Sequence, residues 1–138
     1  MHRSLPFHSM IVMRYKHILL IDDDIDDREI FMLAFQGVRS TIGCTILEDS
    51  QHALEQLRLG RITPDLIFLD LNMPKMNGHE FLKEMKANEE LKKIPVIILS
   101  TSAHPHTIEE TRRLGAHQFI KKPNQSDELT AILRLVLT

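Results

Sequence analysis

At 138 residues, with 17 basic and 19 acidic side chains and a net charge of −2, the chain is sized for one domain and offers neither a basic field for nucleic acid nor an acidic tail. Its single cysteine, Cys44, excludes an intramolecular disulfide and reads as a small strand hydrophobe in a reducing compartment. No apolar run approaches the ~18 residues that span a bilayer, and Pro6, His8 and Arg14 interrupt any signal-peptide core, so a cytoplasmic protein without a membrane contact is expected.

Residues 1–16 carry no periodicity and include Met1, Met10 and Met13. They read as a loosely ordered extension before a domain spanning 17–138. The first apolar run, from His17 to Ile21, stops on Asp22, Asp23 and Asp24, and a helix follows from Asp26 to Val38 with Ile30, Phe31, Ala34, Phe35 and Val38 on one face. Gly37 and Gly43 bracket its end, and Asp26 and Asp27 read as first-turn acids that favour the positive end of the helix. A second strand spans Thr41 to Leu47. Asp49 and Ser50 then open a helix with Ala53, Leu54 and Leu57 inward, closed by Gly60.

The third strand, Leu66 to Leu69, is apolar at every position, as suits burial on both faces, and it ends on Asp70. After Pro74 and the Asn77–Gly78 pair comes a helix with Phe81, Leu82 and Met85. A fourth strand, Val96 to Leu99, ends on Ser100 and Thr101. A helix from His106 to Leu114, a strand from His117 to Lys121 that runs into Lys122 and Pro123, and a helix from Ser126 to Leu137 complete the chain. Five strands alternating with five helices demand a parallel sheet covered on both faces by right-handed crossovers, a three-layer doubly wound (βα)5 domain. In the flavodoxin-like order 2-1-3-4-5 the first and third strands are neighbours, which would gather Asp22, Asp23 and Asp70 at the switch point where such sheets hold ligands.

Carboxylates gathered at adjacent strand ends repel one another unless a cation joins them. A hard divalent ion that prefers oxygen ligands and phosphate fits, so the cluster reads as a magnesium-assisted phosphoryl site. Lys122 can reach over the crevice toward Asp70 or a phosphoryl group on it, and the Ser100 hydroxyl can donate to a phosphoryl oxygen. A calcium loop on Asp22, Asp24 and Asp26 fails, because Asp27 stands where glycine is required and Leu33 where the bidentate glutamate belongs. His104 and His106 flank Pro105 with no third ligand at metal spacing.

In family order and spacing, ILLIDDD, LIFLDLNMP followed by NG, IPVIILST and FIKKP resemble the receiver domains of two-component response regulators, over essentially all of residues 17–137. The resemblance implies that Asp70 accepts a phosphoryl group from a phosphohistidine on a sensor histidine kinase or phosphotransfer protein. It implies that Asp23, Asp70 and the main-chain carbonyl of Asn72 bind Mg2+, with Asp22 holding metal-bound water. Ser100 is then the hydroxyl switch residue, Phe119 the aromatic switch residue and Lys122 the family's lysine. Such a protein is a phosphoacceptor with self-catalysed transfer and not an enzyme in the turnover sense. Thr101 stands where many receivers carry alanine or glycine, which would tighten access to the acyl phosphate, and Phe119 lacks a phenolic hydroxyl, which leaves a switch of packing alone. The Ser100–Thr101–Ser102 run is similar to stand-alone receivers that serve bacterial phytochrome-type kinases.

Two rivals remain open from the residues. A haloacid-dehalogenase-like phosphatase also uses an aspartate nucleophile and magnesium, but Asp26 stands where its first motif needs threonine or valine. A receiver-like binding platform needs no phosphorylation, yet here Asp22, Asp23, Asp70, Ser100 and Lys122 are all present. On the last helix Leu129, Leu133, Val136 and Leu137 share the inward face, Ile132 lies at its flank and Leu135 points away. The surface of the fourth helix, fifth strand and fifth helix, with Ile132 and Leu135 beside Phe119, is therefore the expected partner or homodimer interface.

Overall fold

The computed structural model describes residues 14–138. Its elements are β1 (His17–Ile21), α1 (Ile25–Val38), β2 (Gly43–Leu47), α2 (Ser50–Arg58), β3 (Leu66–Asp70), α3 (Gly78–Lys86), β4 (Val96–Ser100), α4 (Pro105–Arg113), β5 (Gln118–Lys121) and α5 (Ser126–Leu137), with a 3-10 turn at Leu91–Lys93 that the sequence reading did not anticipate. All strand pairs are parallel and the order is β2-β1-β3-β4-β5, as expected. Most of the extension, residues 1–13, lies outside the described residues. At its described end the amides of Lys16 and His17 donate to the Asp65 carboxylate at 2.8 and 3.2 Å.

In the three central strands the runs Ile18–Ile21, Leu66–Leu69 and Val96–Leu99 are apolar throughout because each buries both faces. Alternation sends Leu19, Ile21, Ile67, Leu69, Val96 and Ile98 to one side, where α2 and α3 cover them with Ala53, Leu54, Leu57, Phe81, Leu82 and Met85. Ile18, Leu20, Leu66, Phe68, Ile97 and Leu99 face the other side, under Phe31 and Ala34 of α1 and Leu129, Leu133 and Leu137 of α5. There Phe31 meets Phe68 edge to face at 5.3 Å, a geometry that adds ~0.5–1.5 kcal/mol to the burial itself. Phe119 joins the α2–α3 side and Ile132 the α1–α5 side, so these two side chains pack on opposite faces of the sheet. Leu135 is 83% exposed.

The two glycines that bracket the expected end of α1 have other work. Gly37 lies inside the helix, where a Cβ would come 2.9 Å from the Thr130 hydroxyl of α5, and that hydroxyl donates to the carbonyl of Ala34 at 3.0 Å. Gly43 opens β2, where a Cβ would fall 2.6 Å from the His17 ring. The helix ends instead on Arg39, in the left-handed region at φ 56°, whose amide donates to the Gln36 carbonyl. Both glycines are set by close approach between elements distant in the chain.

Candidate functional site

The register decides what meets at the carboxyl edge of the sheet. Ile21 pairs with Leu69, so the residues that follow, Asp22 and Asp70, leave neighbouring strands side by side. Asp70 stands opposite Leu99, and Ser100 opposite Lys121, so Lys122 follows the fifth strand at the same edge. The Lys122 amide donates to the Ser100 carbonyl at 2.7 Å, and Pro123 ends the strand.

The β1–α1 corner is built by its own acids. Asp24 caps α1 by accepting from the Asp27 amide at 3.0 Å, and the buried Asp22 carboxylate accepts from the Asp24 amide at 3.0 Å. Arg28 ties this corner to β2, donating to the Asp22 carbonyl at 3.1 Å while its other arm lies 3.3 Å from Glu48. The β3–α3 loop is pinned by buried Leu71 and Met73, which leave Asn72 between them exposed to the cleft. Asn77 and Glu80 form a capping box at α3, and the buried Ser50 hydroxyl donates to the Met76 carbonyl. Gly78 allows α3 to sit directly on the end of β3, since a Cβ there would lie 2.7 Å from the Leu71 Cα and 2.8 Å from the Asp70 carbonyl oxygen.

These corners enclose a cleft of about 460 Å3 lined by Asp23, Asp24, Ile25, Asp27, Asp70, Asn72, Thr101 and Lys122. Carboxylate oxygens of Asp22, Asp23 and Asp70 all lie within 4.8 Å of one another. The Lys122 ammonium reaches Asp22 at 2.8 Å, Asp27 at 2.7 Å and Asp70 at 3.3 Å. Ser100 is buried at the end of β4 and its hydroxyl accepts from the Ser102 amide at 3.2 Å. Thr101 is exposed on the cleft wall, and Phe119 is half-buried near Leu114 and Ala116 in the α2–α3 core.

Burial pushes the Asp70 carboxyl up to about 6; Lys122 pulls it down, and the charges of Asp22 and Asp23 raise it further. Burial also raises Asp22, against the hydrogen bonds from Lys122 and the Asp24 amide. For Lys122 burial opposes the charge, but the hydrogen bonds it donates to Asp22 and Asp27 and the charges of Asp22 and Asp70 outweigh it and hold the ammonium above the ordinary lysine range. One ammonium thus pairs with three carboxylates, Asp23 adds a further negative charge beside them, and the excess suits a divalent cation with oxygen ligands.

One assignment made from the sequence needs correcting. Asp27 is not merely a solvated first-turn acid, because its carboxylate makes the shortest of the three bonds to Lys122. Nothing local marks that role, because its partner Lys122 lies 95 residues away in the chain. Arg28 was also missed, and nothing local in the sequence marks it.

A family model described as the response regulator receiver domain matches residues 18–134. The chain belongs to the response regulator receiver family. It is 34% identical over 116 residues to the "Probable methanogenesis regulatory protein FilR2" of Methanothrix harundinacea (strain 6Ac), covering 81% of this chain and 75% of that one. It is 31% identical over 121 residues to the two-component response regulator ORR3 of Oryza sativa subsp. indica, covering 88% and 90%. Among solved structures, the Mn(2+)-bound form of response regulator Rcp1 superposes with a TM-score of 0.75 at 31% identity, over 88% of this chain and 91% of that one. The phosphorylated cyanobacterial phytochrome response regulator RcpA gives 0.78 at 31% identity with the same coverage. The acidic cleft of this chain lies at the β1 and β3 ends of that shared fold.

Proposed function

We propose that this receiver is a phosphoacceptor in a two-component relay, charged on Asp70 by a phosphohistidine of a sensor histidine kinase or phosphotransfer protein in the cytoplasm. The observation that carries this reading is Asp70 itself: a buried carboxylate at the end of the central strand, facing an open cleft and 3.3 Å from a lysine ammonium. An Asp70 carboxylate oxygen attacks phosphorus, the P–N bond to the donor imidazole breaks, and its electron pair returns to the ring nitrogen. Asp23, Asp70 and the main-chain carbonyl of Asn72 would hold Mg2+, with Asp22 holding metal-bound water, and the ion would supply charge neutralisation to the phosphoryl oxygens. Lys122 stabilises the same developing charge from the fifth strand, and the Ser100 hydroxyl turns from the Ser102 amide to donate to a phosphoryl oxygen.

That turn is the conformational signal. Ser100 and Lys121 are register partners, so a shift at Ser100 is felt along β5, where Phe119 repacks. The output leaves at the face of α4, β5 and α5, toward a protein partner or a second copy. Because Phe119 and Ile132 belong to opposite faces of the sheet, a partner reads both only across the β5 edge.

Incubation with acetyl phosphate and Mg2+ followed by intact mass tests the assignment. The wild-type chain gains one phosphoryl mass and Asp70→Asn gains none; an equal gain in the variant removes Asp70 from the reaction. Continued multi-turnover hydrolysis of a phosphoester would support a phosphatase instead.

A further inference from the structure

We infer that Asp27 is a positioning residue that draws the Lys122 ammonium toward the β1–α1 corner in the resting protein, at the far end of hydrogen-bond reach from Asp70, and gives it up when Asp70 carries a phosphoryl group; this rests on the phosphoacceptor reading above. An ammonium has three protons to donate, and here all three are committed, to Asp22, Asp27 and Asp70. The two short bonds, 2.8 and 2.7 Å, go to the β1–α1 corner, and the long one, 3.3 Å, goes to the phosphoacceptor. A phosphoryl group adds strong oxygen acceptors beside a lysine with no free proton. The long bond passes from Asp70 to the phosphoryl group, and closing it to an ordinary length draws the ammonium away from the corner, so one of the two short bonds has to yield.

The surroundings of the two short partners differ. Asp22 is 1% exposed, so losing the lysine would leave a charge in the protein interior. The Asp27 side chain is 27% exposed and stands in the first turn of α1, where water and the helix amino terminus both stabilise a carboxylate. Asp27 is therefore the partner that Lys122 can leave. Its bond exists in the resting state and is lost in the charged one, so it weights the equilibrium against the charged state.

Removing that weight should strengthen binding of an acyl-phosphate mimic. With Mg2+ present, beryllium fluoride bound to the Asp70 carboxylate provides such a mimic, and fluorine NMR titration reads its affinity on the full chain. Asp27→Asn should bind it about tenfold more tightly than wild type, the low end of what one hydrogen bond between charged groups is worth. In a Lys122→Gln background the same substitution should change the affinity by less than about twofold, because the effect travels through the lysine. A bare charge effect would persist in that background. Should the double variant not fold, Lys122→Arg gives a second background: a guanidinium has five N–H donors and need not leave Asp27 to meet the phosphoryl group, so the gain should again shrink to less than about twofold, whereas a bare charge effect would persist. Equal affinity of Asp27→Asn and wild type, or a gain that persists undiminished in the Lys122 backgrounds, overturns the inference while leaving Asp70 as the acceptor. Wild-type binding that survives Asp70→Asn would instead overturn the phosphoacceptor reading.

Discussion

A buried carboxylate beside two others carries a stability signature as well as a chemical one. Asp70 is held at about 6 in the fold, against an ordinary 3.8 that the unfolded chain restores. Between those values the folded state binds more protons than the unfolded one, so stability falls as pH rises from about 4 through 6 and is not regained above it. The buried Asp22, also raised, contributes with the same sign. Asp70→Asn should therefore be more stable than wild type at pH 8 in the absence of divalent metal, by at most about 3 kcal/mol, with the gap closing toward pH 4. Added Mg2+ should narrow the gap at pH 8 by stabilising only the wild type. Urea midpoints at the two pH values, with and without the ion, check this; a gap that ignores pH would show that Asp70 is not the titrating group.

At the scale of elements, the seating of α3 on β3 holds the Asn72 loop in place. Gly78 permits it, since the atoms a Cβ would strike at 2.7 and 2.8 Å are backbone atoms of Leu71 and Asp70 that cannot swing aside. Gly78→Ala should cost about 1–3 kcal/mol by overpacking and should slow Asp70 phosphorylation, because α3 has to lift and carry the loop with it. Gly60 makes the control. It sits at φ 69° with open space around it, so Gly60→Ala should cost about 1 kcal/mol of backbone strain and leave phosphorylation unchanged. Denaturation curves and phosphoryl gain by mass, measured on both variants, separate site geometry from stability alone.

For the whole molecule, the question is which face carries the signal outward. Leu135 stands 83% exposed on α5, away from the residues that bury Leu129, Leu133 and Leu137. Leu135→Glu should weaken self-association or partner binding, leave Asp70 phosphorylation intact and change stability by no more than about 0.5 kcal/mol. Sedimentation of the phosphorylated protein checks it. An unchanged profile together with unchanged partner binding would move the search to the other exposed apolar face, on α1, where Ile25, Met32 and Leu33 line a groove with Ile46 of β2.

The sequence by itself determined the sheet and most of the cleft. Runs such as LIFL and VIIL are apolar at every position because both faces are buried, and they stop at polar residues because the edge of the sheet is where water begins. That logic located Asp22, Asp23, Asp70, Ser100 and Lys122, and the motif order brought in Asn72. It fails where two distant elements meet. Asp27 and Lys122 are bonded across a separation of 95 residues, and a first-turn aspartate carries no local sign of which cation will face it. Gly37 and Gly43 look like a helix stop in one dimension and are clearance for Thr130 and His17 in three. Phe119 and Ile132 look like neighbours and pack on opposite faces of the sheet. Periodicity records whether one element's face is buried, a property of that element alone. Which charges and surfaces confront each other depends on how the ends of separate elements are brought together, and only the tertiary structure decides that.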